Sequence, residues 1–182
     1  MLEALLPVAW LSGTMTDQLP DGVERAVEGR DAFERDGDGF RVTTTAFDGR
    51  VTALEGPDAT VYTVTVRVPT LDAATADGVG GAVEDGWFET LERRLEDAPK
   101  ATRADVELAN YDVERDGEEV FVTYGFEWEG PGRAADIAKT FVEYVEGTYV
   151  EGIVPGYEYV SPVADLIDSA SQGEGGSGGM PL

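Results

Sequence analysis

The chain reads as an α+β protein built on one antiparallel sheet, and three observations predict this. Tyr62 to Val68 and Val120 to Trp128 alternate apolar and polar residues with the period of two that a half-buried strand requires. Trp87 to Leu95 and Ala134 to Val145 place apolar residues at three- and four-residue intervals, the spacing of an amphipathic helix. Short Asp- and Gly-rich clusters separate the strand segments, which suits antiparallel neighbours joined by tight turns.

Asp21 followed by Glu24 has the spacing of a capping box, and Val23, Ala26 and Val27 continue it, so a first helix is expected from about Gly22 to Gly29. Asp36-Gly37-Asp38-Gly39 is a turn cluster ahead of a strand in which Phe40, Val42, Thr44 and Ala46 share one face. Asp48-Gly49 suits a two-residue hairpin turn into a return strand from Val51 to Leu54. Gly56-Pro57-Asp58 then turns the chain into the strand carrying Tyr62, Val64, Val66 and Val68, completing a three-stranded meander.

Thr70 is placed to cap a long helix whose stripe is Val83, Trp87, Phe88, Leu91 and Leu95, with Glu89 and Arg93 as an i,i+4 pair. Gly78, Gly80 and Gly81 each cost about 1 kcal/mol against Ala in a helix interior, so this helix is expected to be broken or to begin late. Val106 and Leu108 share one parity and Tyr111 and Val113 the other, which implies a bulge near Ala109-Asn110 if they form one strand. Asp116-Gly117 turns the chain into a fifth strand, from Val120 to Trp128.

Gly130-Pro131-Gly132 ends that strand, and Ala134, Ile137, Ala138, Phe141 and Val145 form a helical stripe expected to stop near Gly147. Ser161-Pro162 marks the start of a short last helix with Val163, Leu166 and Ile167 on one side. The predicted order is thus α-β-β-β-α-β-β-α plus a short C-terminal helix: a five-stranded antiparallel sheet with helices on one face. That order resembles the type III secretion chaperone-like and YbjN-like layouts, a likeness of topology that implies protein binding and transfers no site.

Residues 15–171 are expected to form a single domain, with 172–182 a flexible Gly/Ser-rich tail. Residues 1–14 are apolar from Leu2 to Leu11, and Met15-Thr16-Asp17-Gln18 looks like a natural start. They read as an extension with a misassigned start, or else as an N-terminal strand or helix packed on the domain. No positive segment precedes Leu2 and no apolar run reaches the roughly 20 residues of a membrane span, so neither a secretion signal nor a membrane anchor is expected.

The 37 acidic residues against 13 basic ones give a formal charge of −24, and only Lys100 and Lys139 are lysines. Disordered acidic chains carry charge in blocks and lack aromatic and β-branched residues, whereas here carboxylates are dispersed through periodic segments. A folded chain of this charge repels itself in dilute buffer, but in about 1 M salt the screening length falls to roughly 3 Å. A salt-rich cytoplasm is the expected setting. With no His and no Cys, the dyads, triads and transition-metal sites built on those residues are excluded, and no cofactor is implied.

The segments Phe40 to Thr45 (FRVTTT), Val68 to Thr75 (VPTLDAAT), Asp85 to Glu89 (DGWFE) and Tyr144 to Gly152 (YVEGTYVEG) resemble those of a small, acidic, uncharacterised protein family of halophilic archaea. The resemblance runs from about Met15 to Ala170. It implies a habitat, a shared fold and a start near Met15, but no reaction and no catalytic residues.

Asp36-Gly37-Asp38-Gly39 has the opening of a calcium loop but lacks its third acidic position and closing Glu, so it reads as a solvated turn and no metal site is expected. Gly78-Val79-Gly80-Gly81 lacks the Lys and the strand-to-helix context of a phosphate loop. Basic residues are scattered, with Arg93-Arg94 the only adjacent pair, which argues against nucleic-acid binding by phosphate neutralisation.

Phe40, Trp87, Phe88, Tyr124, Phe126, Trp128 and Phe141 fall on core positions by their periodicity. Residues 144–160 are different. Tyr144-Val-Glu-Gly repeats at Tyr149 with a period of five, which a helix does not keep on one face, and Tyr157 and Tyr159 follow. Tyr144, Tyr149, Tyr157 and Tyr159 are therefore the candidate partner-binding residues. The competing reading is a segment that wraps the domain and buries the rings. The leading expectation is a non-enzymatic protein-binding or assembly module that uses one sheet face or this aromatic segment, with a protein partner or a second copy. The alternative is a carboxylate-based hydrolase or small-ligand-binding protein with a pocket between sheet and helices.

Overall fold

The structure, a computed structural model, describes residues 19–178, with side chains to Gln172. The apolar N-terminal segment and the last four residues lie outside them. The elements are α1 (Asp21–Val27), β1 (Phe33–Asp36), β2 (Gly39–Val42), β3 (Asp48–Glu55), β4 (Thr60–Pro69), α2 (Leu71–Ala74), α3 (Gly81–Leu95), a 3-10 turn at Ala98–Ala101, β5 (Asn110–Asp116), β6 (Glu119–Trp128), α4 (Pro131–Glu151) and α5 (Val163–Gly178). This is the expected α+β class. The sheet is antiparallel in the order β1-β2-β3-β4-β6-β5, with six strands rather than five.

The added strand is β1, whose Phe-Glu-Arg-Asp holds one apolar residue and no period for sequence reasoning to find. It pairs with β2 across the Asp36–Gly39 turn, where Gly37 takes a left-handed φ of 59°. The DGDG cluster is therefore a hairpin turn. At α1 the expected cap is displaced by one residue: Pro20 is the N-cap without a side-chain hydrogen bond, and Asp21 already lies in the helix.

The centre of the core is the β4·β6 pair, in which Tyr62, Val64, Val66 and Val68 face α4 beside their partners Phe126, Tyr124, Val122 and Val120. Phe141 of α4 packs on this row, 5.0 Å from Tyr124 and 5.5 Å from Phe126 between ring centroids. Tyr62 and Phe126 stack at 5.2 Å.

Asp48-Gly49 is not a turn. Both residues lie inside β3, where Gly49 pairs with Val42 and Val66. A Cβ on Gly49 would sit 2.3 Å from Cγ1 of Val142, so this glycine lets α4 approach the sheet. The chain turns earlier, over residues 43–47, and α4 holds that turn. Glu146 Oε2 accepts from the Ala46 and Phe47 N–H groups at 2.7 and 3.2 Å, and Glu143 Oε1 accepts from the Thr44 hydroxyl at 2.7 Å. Those tertiary bonds stop β2 at Val42, ahead of the Thr44 and Ala46 that alternation assigned to it.

Thr70 does cap a helix, but only the four-residue α2, through a bond from the Ala73 N–H. The break follows as the glycines imply: Gly78 has φ 74° and α3 begins at Gly81. β5 starts at Asn110, so Val106 and Leu108 precede the strand instead of entering it across a bulge. α4 continues past Gly147 to Glu151, because Val145, Thr148 and Tyr149 prolong its buried stripe while Gly147 faces solvent. α5 runs to Gly178, past the position where composition places the start of the tail.

Candidate functional site

The aromatic segment is tied into the domain by its hydroxyls. Tyr144, on α4, donates to the carbonyl of Arg94 at 2.9 Å, and Tyr149 donates to the carbonyl of Pro69 at 3.0 Å. Tyr159 accepts from the Val154 N–H at 2.9 Å and donates to the Val154 carbonyl at 2.6 Å. Tyr149 is fully buried, its ring edge-on to Phe47 at 4.9 Å and to Trp87 at 5.5 Å, and burial pushes its phenol pKa well above the ordinary tyrosine value. A partner cannot touch it. Tyr144 and Tyr159 are half-buried and anchored, and Tyr157 keeps partial exposure. The burial of Tyr149 and the backbone bonds of Tyr144 and Tyr159 favour the wrapping role for this segment.

The other expected contact surface, a sheet face, is present. All the helix packing falls on the side of Tyr62 and Phe126, so the residues of opposite parity look outward: Asp48, Arg50 and Thr52 on β3, Thr63, Thr65 and Arg67 on β4, Phe121 and Thr123 on β6. Among the described residues no helix covers them.

Cross-strand register brings Arg41 opposite Arg50 and Asp48 opposite Arg67. A chain of ion pairs follows. Asp36 bonds Arg41 and Arg50 at 3.1 and 3.2 Å, Asp48 lies 3.1 Å from Arg41 and 3.5 Å from Arg67, and Arg67 reaches Glu119 at 3.7 Å. Asp38 closes the far end on Arg50, whose guanidinium holds its carboxyl below the usual aspartate range. Three arginines are thus matched by four carboxylates on a protein whose total charge is −24. The pattern was half visible, since Arg41 and Arg67 stand at polar positions of alternating strands. Their convergence depends on register, which sequence does not display.

Both sheet edges are poor docking sites. β1 has four residues, and β5 exposes Asp112, Glu114 and Asp116 along its margin.

A cavity of about 260 Å³ lies between α3 and the C-terminal end of α4, lined by Trp87, Leu91, Val154, Gly86 and Thr148 among others, with Arg94 at its wall. Among the described residues no carboxylate lines it. Glu84, a partly buried acid in the first turn of α3, serves α2: its Oε2 accepts from the Asp72 N–H at 2.9 Å. Burial, with the charge of Asp72 adding to it, raises the Glu84 pKa. Among the described residues no group of three or more acids could hold a metal ion, and no helix is long and apolar enough to cross a membrane.

Fold and surface define a small α+β domain with one sheet face buried under helices and the other open. Residues 28–169 match a family of unknown function, DUF5813, and the chain belongs to that family. No curated protein matches the chain, nor does any solved structure, so the likeness to the chaperone-like layouts stands on element order alone.

Proposed function

We propose that this protein is a non-enzymatic assembly module that pairs with a second copy of itself through the open sheet face, in a salt-rich cytoplasm. The observation that carries the proposal is the arginine–carboxylate ladder. In dilute buffer the net charge of −24 opposes any self-contact. Molar salt screens that long-range repulsion, and the open face, where charge is nearly balanced, meets the least residual short-range repulsion between facing side chains. The row from Asp38 to Glu119 alternates sign, so a two-fold copy can set arginines against carboxylates in both directions.

Area supports the same reading. Six strands about 4.8 Å apart, with central strands of eight to ten residues rising about 3.4 Å each, span roughly 700 Å². A standard interface buries about 800 Å² per partner. Thr52, Thr63, Thr65 and Thr123 make the centre flat, and Phe121 supplies an aromatic anchor beside Arg67.

Sedimentation velocity across a potassium chloride series tests this. A monomer in dilute salt that becomes a dimer in molar salt is expected, with Thr63→Glu and Phe121→Asp each weakening the dimer about tenfold or more while the monomer's unfolding free energy stays within about 0.5 kcal/mol of wild type. A wild-type chain that remains monomeric in molar salt, or a dimer indifferent to both substitutions, overturns the proposal.

A further inference from the structure

The cavity between α3 and α4 has the chemistry of a small-molecule site, and we infer that it binds a short amphipathic carboxylate, with the apolar body against Trp87, Leu91 and Val154 and the anionic head on Arg94. Trp87, Thr90, Leu91 and Arg94 are spaced i, i+3, i+4 and i+7, so they line one face of α3 over about 10 Å, apolar at one end and cationic at the other. Thr148, Gly152 and Val154 form the opposite wall. A volume of about 260 Å³ is below the usual range for drug-sized ligands, which sets the size of the acid.

Gly86 is the second observation. It sits within α3, where glycine is an unfavourable choice, and a Cβ built there meets nothing within 4 Å. No packing constraint requires glycine. Its effect is to leave the slot open, since Gly86 is itself a lining residue.

Arg94 is the third. Its Nη1 lies 3.9 Å from the place a Cβ would take on Gly152, which puts the guanidinium at the cavity wall. Its counter-ion is Glu151 at 2.5 Å, a side chain 69% exposed. An exposed pair of this kind is held weakly, so a ligand carboxylate can replace Glu151 without stranding a buried charge. Among the described residues no acid lines the slot itself, so Glu151 on Arg94 is the carboxylate that an incoming anion displaces.

Titration calorimetry of the full chain in molar potassium chloride, with hexanoate and hexan-1-ol as probes, tests the inference. Hexanoate is expected to bind about tenfold more tightly than the alcohol. Arg94→Gln, which keeps the backbone carbonyl that Tyr144 uses, should make the two probes equal, and Glu151→Gln should tighten hexanoate about two- to threefold. Gly86→Leu should fill the slot, abolish hexanoate binding and raise the melting temperature. Equal affinity of acid and alcohol for the wild type, no saturable binding of hexanoate, or unchanged binding in a folded Gly86→Leu variant overturns the inference. If Gly86→Leu does not fold, the Arg94→Gln comparison decides it.

Discussion

The Tyr149 hydroxyl donates to the Pro69 carbonyl, 80 positions earlier in the chain, and so fastens the last turns of α4 to the end of β4. Pro69 is where β4 gives way to α2, and its carbonyl accepts this bond from a side chain that is itself fully buried. The bond fixes the aromatic segment as part of the core. Tyr149→Phe should cost about 1–2 kcal/mol by leaving that carbonyl unpaired, and Tyr149→Ala about 3–5 kcal/mol by opening a cavity between Phe47 and Trp87. Equilibrium unfolding in molar salt measures both. A Tyr149→Ala variant as stable as the wild type would contradict this packing.

Gly49 and Val142 form a second tight contact. Gly49→Ala should destabilise by about 1–3 kcal/mol, because the new methyl overlaps Val142 with little room to move. Val142→Ala in the same chain should recover part of that loss, and a double-mutant cycle should give a favourable coupling of at least about 0.5 kcal/mol. Additive effects would mean that α4 does not rest on Gly49.

Glu84 has a folded-state pKa above its ordinary 4.5, chiefly from burial, so the folded protein holds this proton more tightly than the unfolded chain. The stability that Glu84 contributes is therefore present below about pH 4.5 and is lost as pH rises through the raised value. Glu84→Gln keeps an acceptor for the Asp72 N–H and removes the titration. Relative to wild type the variant should gain stability on going from about pH 4 to about pH 7, by less than about 1 kcal/mol because the group is partly exposed. Unfolding curves at both pH values check the sign.

Asp38 behaves in the opposite sense. The hydrogen bond from Arg50 lowers its pKa from 3.8, so its contribution is present above that value and is lost as pH falls through the depressed one. Asp38→Asn should cost a few tenths of a kcal/mol near neutral pH and flatten the acid limb of the stability profile, an effect that weakens in molar salt. Acid titration followed by circular dichroism separates the two chains.

The strands at the centre of the sheet were legible because both of their faces are chemically distinct. Tyr62, Val64, Val66 and Val68 against Thr63, Thr65 and Arg67 record a covered side and an open side in the pattern itself. Three features were not legible, each for a long-range reason. β1 is a strand because β2 offers it hydrogen bonds, not because Phe-Glu-Arg-Asp prefers extension. Asp48-Gly49 has the local signature of a turn, but Val142 requires the glycine inside β3, and the carboxylates of α4 hold the turn elsewhere. The period of five in Tyr144 and Tyr149 does not keep both rings on one helical face. The helix uses both rings, one toward Arg94 and one toward Pro69, because neighbouring elements surround it on more than one side.

By itself the sequence determined the α+β class, the long helices and central strands, a dispersed charge of −24, and the lack of His and Cys chemistry. These follow from periodicity and composition, which are local properties of the chain. The tertiary structure alone decided that the sheet has a sixth strand, that Tyr149 is core, that Arg41, Arg50 and Arg67 meet four carboxylates on one open face, and that Gly86 and Arg94 share a cavity wall. Each of these joins residues from different elements through strand register or helix packing. Neither leaves a mark in any single segment, because a contact is a property of two distant stretches of chain brought to within a few ångströms.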